Sequence, residues 1–429
     1  MSSTLRIAMA GLGTVGGGVL KALQSHVTHL SERASRKLEL VAVSTRDPKK
    51  SRGFDFSHVK FVANPVELAQ TDADVVVELI GGEDGPALAL VEAALKNKKH
   101  VVTANKALLA KHGARLAALA EAHGVALKFE AAVAGGIPII KALRESLIAY
   151  GVHAVRGILN GTCNYILTQM ESTGRSFDDV LKDAQRLGYA EADPTLDVGG
   201  GDTAHKLSLL AALAFGTAPD LKHMTVEGIS AITPDDIRFA REFGYRIKLL
   251  GIARLTNDGI AQSVQPVLVR AGTALADVDG ASNAVMADAG PAGSFFFSGR
   301  GAGESPTASA VIADIMDIAR GSLGPTFGRP ATTLKPLKPA PVGTAASAYY
   351  LRFEVLDLPG VLAGIAAHLA EARVSIESMI QRASAPGEPV SIVMITHESQ
   401  AQAVERALQA IAASDKVRAR PCMIPMEAA

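Results

Sequence analysis

The hexapeptide GLGTVG at 11–16 constrains this chain more than any other feature. It follows TLRIAMA (4–10), an apolar run of strand length. It precedes Val15, Val19, Leu20, Leu23, Val27 and Leu30, which recur at helical spacing. A strand, a glycine-rich turn and a helix in that order open a doubly wound sheet that binds a dinucleotide. In that reading Gly11 permits the tight turn, Gly13 lets the backbone approach a pyrophosphate, and Gly16 allows close helix–strand packing. The start of the helix, with Leu12, Thr14 and Val15, presents amides and the positive end of the helix dipole to the anion. A glycine-rich turn without a ligand is the alternative, and the N-terminal strand–helix context weighs against it.

The alternation continues. LELVAVST (38–45), VKFV (59–62), ADVVVEL (73–79), 100–103 and 125–130 read as strands, with helices over 86–97 and 106–123. Strands spaced by helices predict βαβ units and a parallel sheet. After Glu130 a helix over 137–149, a strand over 152–159, a helix opening at NGTCNYILTQM, an apolar helix over 203–216 and strands near 247–255 and 262–271 predict an α+β domain. A helix over 305–320, with Pro306 in its first turn, is expected to return to the first domain. Pro325, Pro330, Pro336, Pro339 and Pro341 mark a stiff linker, and 348–424 reads as βαββαβ.

The predicted fold class is therefore α/β. It comprises a Rossmann-type domain at 1–130 (completed by about 300–325), a substrate-binding and catalytic α+β domain at 131–300, a linker at 326–346 and a βαββαβ domain at 347–429. A length of 429 residues matches about three domains at ~150 residues each.

Charge excludes several classes. Lys plus Arg and Asp plus Glu both number 43, and no basic stripe stands out, so neither nucleic acid nor a membrane surface is expected as a partner. LSLLAALAFG (207–216) is half the length of a bilayer span. No basic segment with a cleavage site precedes the first strand, so a cytoplasmic location is expected. Two cysteines, Cys163 and Cys422, cannot build a disulfide framework or a multi-thiolate metal site.

Several side chains carry chemistry. The second strand closes on Ser44-Thr45-Arg46, with Asp47 after it. A guanidinium there suits a 2′-phosphate, which favours NADP and leaves NAD possible; an ordinary solvated arginine is the bland alternative. Lys106 stands at a strand–helix junction, on the sheet edge where ligands sit and at a helix start that suits cations poorly. Asp202 and Lys206 are i and i+4, sharing a helix face beside an apolar stretch, where a lysine is placed for proton transfer. Tyr189, Glu191, Asp193 and Asp197 precede them in an acidic loop. Carboxylates facing a lysine suit an amino-acid substrate, with acids for its ammonium and the lysine for the reacting oxygen. An exposed acidic loop and a surface ion pair would account for the same residues.

GLGTVG, VVVELIGG (75–82), HVVTANKALLA (100–110), EAAVAGGIPII (130–140), GILNGTCNYILTQM (157–170), LGYAEADPTLDVGGGDTAHK (187–206) and GRGAGESPTASAV (299–311) together resemble homoserine dehydrogenase, in order, over residues 1 to about 330. The resemblance implies reversible hydride transfer between L-aspartate 4-semialdehyde and L-homoserine. By position it implies Lys206 as general acid/base, Lys106 as its partner near nicotinamide and substrate, and Glu191, Asp197 and Asp202 as groups holding substrate and orienting Lys206, with Tyr189 and Thr162 nearby. It further implies a monovalent-cation site, expected to take Na⁺, from the Glu130 side chain and the carbonyls of Val133, Gly135 and Ile137. Gly188, Gly301 and Gly303 match positions where backbone approaches the cofactor.

FEVLDLPGVLAGIAAHLAEARVSIESM (353–379) resembles an ACT domain, with Asp357 at the strand end and Gly360 in the turn. The implied partners are an amino-acid effector, with L-threonine the expected one, and further copies of the chain in a homodimer or homotetramer. Truncation near 343 is then expected to leave an active enzyme blind to threonine. Two rivals remain. Aspartate-semialdehyde dehydrogenase needs a nucleophilic cysteine, for which Cys163 is the candidate. A non-catalytic amino-acid sensor would use a retired dehydrogenase scaffold, against which both lysines and the acidic loop speak.

Overall fold

The computed structural model describes residues 4–49, 53–341, 343, 346–382 and 389–427; the expected linker at 342 and 344–345 and the ends of the expected first and last domains lie outside the described residues. The first unit holds β1 (Leu5–Ala10), α1 (Thr14–Ser25), α2 (Val27–Ala34), β2 (Leu38–Ser44), β3 (Lys60–Phe61), β4 (Val75–Glu78), α3 (Pro86–Lys96), β5 (His100–Thr103), α4 (Lys106–Ala122) and β6 (Leu127–Lys128). All neighbours pair in parallel, in the order β3-β2-β1-β4-β5-β6. Val75, Val76 and Val77 have no exposed surface, as strands covered on both faces require. The apolar periodicity over 15–30 read as one helix. It breaks instead at His26, whose φ of −124° and ψ of 17° end α1 and begin α2.

Past β6 the expected strand over 125–130 is cut to two residues, and the helix over 137–149 shrinks to α5 (Ile139–Lys141) followed by a wider π-type turn, Ala142–Ser146. Then come β7 (Ala154–Ile158), α6 (Gly161–Thr173), α7 (Phe177–Arg186), α8 (Thr195–Val198), α9 (Gly201–Phe215), β8 (Thr225–Val226), α10 (Pro234–Glu242), β9 (Tyr245–Thr256), β10 (Gly259–Arg270), β11 (Ser282–Asp288), β12 (Ser294–Arg300) and α11 (Glu304–Ala319). Helix α11 does return to the first unit. Gly18 of α1 has so little room that a Cβ there would lie 2.8 Å from Glu304 Cγ, and Lys21 pairs with Glu304 at 2.6 Å.

The C-terminal unit is β13 (Ala346–Ser347), β14 (Tyr349–Leu356), α12 (Val361–Glu371), β15 (Ile376–Gln381), β16 (Pro389–Thr396), β17 (Ser399–Gln400), α13 (Ala401–Ala412) and β18 (Cys422–Glu427). The βαββαβ order is as expected, with the small β13–β17 pair added.

This unit does not hang from a spacer. Strand β18 pairs with β14 on one side and with β10 on the other, so the sheets fuse in the order β12-β11-β7-β9-β10-β18-β14-β16-β15. The segment leading to it also clings to the body. Phe327 is buried against Phe129, Ala331 N–H donates to Glu121, and Pro339 bridges to Ile260. Across the seam, Asp236 of α10 has no exposed surface and accepts from Arg352 Nε at 2.7 Å and from Tyr350 Oη at 3.1 Å. Cutting near 343 would strip β10 of a partner and leave Asp236 buried without its cation. The expectation of a competent truncated enzyme is withdrawn for that reason.

Candidate active site

Strand order reverses between β1 and β4, and the crevice outside their carboxyl ends is where a sheet of this kind takes its ligand. Gly11 leaves β1 at φ +94°, and a Cβ there would lie 2.5 Å from the Leu79 carbonyl oxygen. At Gly16 a Cβ would meet the Gly11 carbonyl oxygen at 2.1 Å. Both positions need glycine for the turn itself. Gly13 differs. It is exposed, nothing lies within 4 Å of where its Cβ would be, and it caps α1 without a side-chain hydrogen bond. Exposed Thr14, half-buried Val15 and buried Leu12 flank this gap. An uncapped helix start beside open space fits a pyrophosphate.

A valine at Gly13 is therefore expected to leave thermal stability unchanged while raising the Kd for the dinucleotide by ~10–100-fold, the 1–3 kcal/mol of an overfilled contact. Differential scanning fluorimetry and a fluorescence titration read the two effects. Unaltered binding would mean that the turn cradles nothing. Arg46 is exposed just beyond β2, and Asp47 spends Oδ1 on the Lys49 amide of its own turn.

Helix α4 begins at Lys106, because Asn105 caps it by accepting from Leu108 N–H at 3.1 Å and ties back to the Gly82 carbonyl at 2.7 Å. Helix α9 begins at Gly201 after left-handed Gly200, φ +87°. These two helix starts bring Lys106 and Lys206 onto one carboxylate. Asp202 Oδ1 lies 3.0 Å from Lys106 Nζ, and Oδ2 accepts from Lys206 Nζ at 2.8 Å. Lys206 also donates to the Leu159 carbonyl at 2.7 Å. Asn160 Nδ2 completes the knot, donating to Asp202 Oδ2 and Asp197 Oδ1, each at 2.8 Å.

Burial by itself would raise the Asp202 carboxyl, but Lys206, Lys106 and the hydrogen bonds from Lys206 and Asn160 hold it far below the ordinary carboxylate range. Asp197 moves the other way. Its burial and the charge of Asp202 outweigh the hydrogen bond from Asn160. Asp202 is thus a fixed anion that aims two ammonium groups at one spot beside the crevice. Such a pair can give a proton to a carbonyl oxygen and polarise it.

Other expected residues are placed around this knot. Thr162 Oγ donates to the Tyr189 carbonyl at 2.6 Å, and the Tyr189 ring lies 4.6 Å from that of Tyr165. Glu191 is exposed on the loop, and Asp193 accepts the Thr195 amide at 3.1 Å within its own turn, so the acidic loop is not one cluster. Gly188, at φ +77°, lies exposed after α7. Gly301 is pressed against Asn283 and Gly135, and Gly303, φ +117°, starts α11.

For a cation, the donor set is one buried carboxylate and main-chain oxygens. Both Glu130 oxygens accept amides, from Ile140 and Lys141 at 2.9 Å each, and burial pushes this carboxyl up to about 7. Val133 and Ile137 are buried, and the turn between them carries left-handed Ala134 and Gly135, φ +55° and +50°. Hard oxygen donors of this kind fit a monovalent cation. Among the described residues no group of three His, Cys, Asp or Glu could hold a metal ion, so carbonyls would have to supply the rest.

Asn160 and the Leu159 carbonyl are the site groups missed in the sequence. The signal that could have found Asn160 is an asparagine just ahead of a helix, and it does accept from Cys163 N–H at 2.8 Å; its second task shows only once α9 lies beside it. Cys163 is no nucleophile. It is fully buried, donates to the Asp197 carbonyl, and burial drives its thiol well above the usual range. That removes the aspartate-semialdehyde dehydrogenase reading.

Comparison with known proteins gives the family of the chain. Residues 11–130 match the family "Homoserine dehydrogenase, NAD binding domain", 138–316 match "Homoserine dehydrogenase" and 349–413 match "ACT domain". Curated homoserine dehydrogenases of Neisseria gonorrhoeae and Pseudomonas aeruginosa are 46% and 42% identical to this chain. The first alignment covers 99% of this chain and 98% of the relative, the second 96% of each. The crystal structure of a homoserine dehydrogenase from Thiobacillus denitrificans superposes with a TM-score of 0.93 at 43% identity, covering 99% of both chains.

Proposed function

Since the chain belongs to the homoserine dehydrogenase family, we propose a division of labour among the residues of its lysine–aspartate knot. The reaction is the reversible, nicotinamide-dependent reduction of L-aspartate 4-semialdehyde to L-homoserine, a step in threonine and methionine biosynthesis. The dinucleotide supplies the hydride when bound. Lys206 gives its proton to the aldehyde oxygen as the carbonyl carbon is reduced, and takes it back in the oxidative direction. Lys106 steadies the same oxygen, and Asp202 orients both lysines. Asp197 and Glu191 receive the substrate ammonium, with Thr162 and Tyr189 closing the loop over it. The observation that carries this reading is a single buried carboxylate shared by two lysines at the carboxyl edge of the sheet. Spectrophotometric oxidation of L-homoserine with NAD⁺ and NADP⁺ tests it; no turnover with either would favour the sensor reading.

The cofactor assigned is NADP. Support comes from Arg46 and from Asp47 being engaged in its own turn. NADPH is expected to bind more tightly than NADH, and Arg46→Ala to erase most of that difference. A charge-assisted contact of ~1.5–3 kcal/mol corresponds to about 10–150-fold in Kd. Equal affinities in the unaltered protein would count against NADP. Glu130, Val133, Gly135 and Ile137 would hold Na⁺ in the turn that follows β6, with Gly188, Gly301 and Gly303 along the cofactor.

The C-terminal unit is assigned a regulatory role with L-threonine as effector, supported by its fused sheet, through which an effector can favour one state of the catalytic body. A homodimer or homotetramer is assigned because the long sheet ends in two open strands, β12 and β15, which need cover. We place the protein in the cytoplasm; no described helix is long and apolar enough to cross a membrane.

A further inference from the structure

Where β18 joins the central sheet, a cavity of about 140 Å³ opens on the face away from the catalytic helices. Arg156 of β7, Asp288 of β11 and Glu427 of β18 supply its charges, and Val269, Leu275 and Met286 its apolar wall. The register places Met286 opposite Arg156 and Glu427 opposite Val269. At ~30 Å³ per water, the volume equals about five waters, which suits a small metabolite and is far short of a nucleotide pocket.

The charges are arranged unevenly. Glu427 is only 7% exposed, and two guanidinium groups converge on its Oε1, that of Arg156 at 2.5 Å and that of Arg254. One carboxylate between two cations leaves positive charge on this side of the cavity. Asp288, two residues beyond Met286 on the neighbouring strand, offers a carboxylate on the same sheet face, diagonal to Arg156, with Oδ1 already accepting the Gly290 amide at 3.0 Å. A cation and an anion on adjoining strands beside an apolar wall match a molecule carrying both charges on adjoining atoms and a short hydrocarbon. That is the chemistry of a small α-amino acid zwitterion: carboxylate to Arg156, ammonium to Asp288, side chain on Leu275 and Met286.

The position of the cavity gives such a ligand a purchase on the reaction. Arg156 lies three residues before Leu159, whose carbonyl receives Lys206, and four before Asn160, which holds Asp202. At its other end Arg156 grips the last strand of the C-terminal unit through Glu427. A ligand carboxylate competing with Glu427 for Arg156 therefore acts on the β18 seam and on β7 at once.

We propose that this cavity at the junction of the C-terminal unit and the catalytic sheet is a binding site for a small zwitterionic amino acid that modulates the enzyme through β7. The proposal deepens the regulatory reading above and rests on it. The test uses the full-length chain, with isothermal titration calorimetry and homoserine oxidation rates measured with added L-threonine or L-methionine. Asp288→Asn removes the charge with little change of shape, and Met286→Trp fills the cavity from its apolar side. Either variant is expected to weaken binding and the rate response about tenfold or more, the size of a lost charged hydrogen bond, with kcat in the absence of effector unchanged. Lys182→Ala, on the exposed face of α7 and away from both the cavity and the open sheet edges, should keep both responses.

If binding and response survive Asp288→Asn and Met286→Trp, the cavity is not the site, while the regulatory reading stands. If the unaltered chain neither binds nor responds to either amino acid, the regulatory reading fails and the proposed site with it.

Discussion

Lys206→Ala is expected to lower kcat by ~10²–10⁴-fold, the usual contribution of a positioned general acid. Cofactor affinity should stay nearly intact, because Lys206 touches Asp202 and the Leu159 carbonyl rather than the glycine turn. Asp202 keeps Lys106 at 3.0 Å in the variant, so the carboxylate is not left bare and the fold should hold. Steady-state kinetics in both directions, with a parallel NADPH titration, separate the two effects. A variant within a few-fold of the unaltered kcat would move the proton-transfer role elsewhere, and Lys106 would be the next residue to replace.

The second large effect lies at the seam. Replacing Asp236 with alanine removes the buried anion of Arg352 and leaves it only the half-exposed Glu354, so the C-terminal unit is expected to lose up to ~3–5 kcal/mol. Burial would raise the Asp236 carboxyl, but Arg352 and the Thr233 hydrogen bonds hold it below the ordinary carboxylate range. A carboxyl whose folded pKa is depressed stabilises fully above its unfolded value, near ~3.9, and loses that contribution as the pH falls through the folded value. The pair should therefore hold at neutral pH and fail only in acid. Limited proteolysis and denaturant titration read the loss. Replacing both partners, as Asp236→Leu with Arg352→Met, should recover most of it, since an apolar pair of similar volume carries no desolvation cost. Equal stability of Asp236→Ala and the parent would mean that β18 alone docks the unit.

Helix and strand periodicity, with glycine at the turns, made the parallel sheet, the returning helix α11 and the βαββαβ order legible without coordinates, because each rests on residues close in sequence. The helix over 177–186 escaped notice although Phe177, Val180, Leu181 and Ala184 recur at helical spacing behind the Ser176 cap, an amphipathic pattern that was legible among its charges. Strand β12, SFFFSGR, was missed too, since an edge strand with alternate residues exposed gives a weak signal. The break at His26 ran against its own periodicity.

What the amino-acid order established alone was the chemistry available: a glycine turn for a pyrophosphate, an arginine after the second strand, a lysine at a helix start and a second lysine one turn after an aspartate. The i,i+4 spacing of Asp202 and Lys206 already implied one contact. Folding added the rest. Lys106 reaches the same carboxylate from another unit, Asn160 reaches it across 42 residues, and Glu427 reaches Arg156 across 271. No local pattern records such meetings, because they depend on how whole sheets and helices pack. The proline-marked segment read as a spacer for the same reason: local stiffness was visible in it, but not the bare edge of β10 that β18 would come to cover.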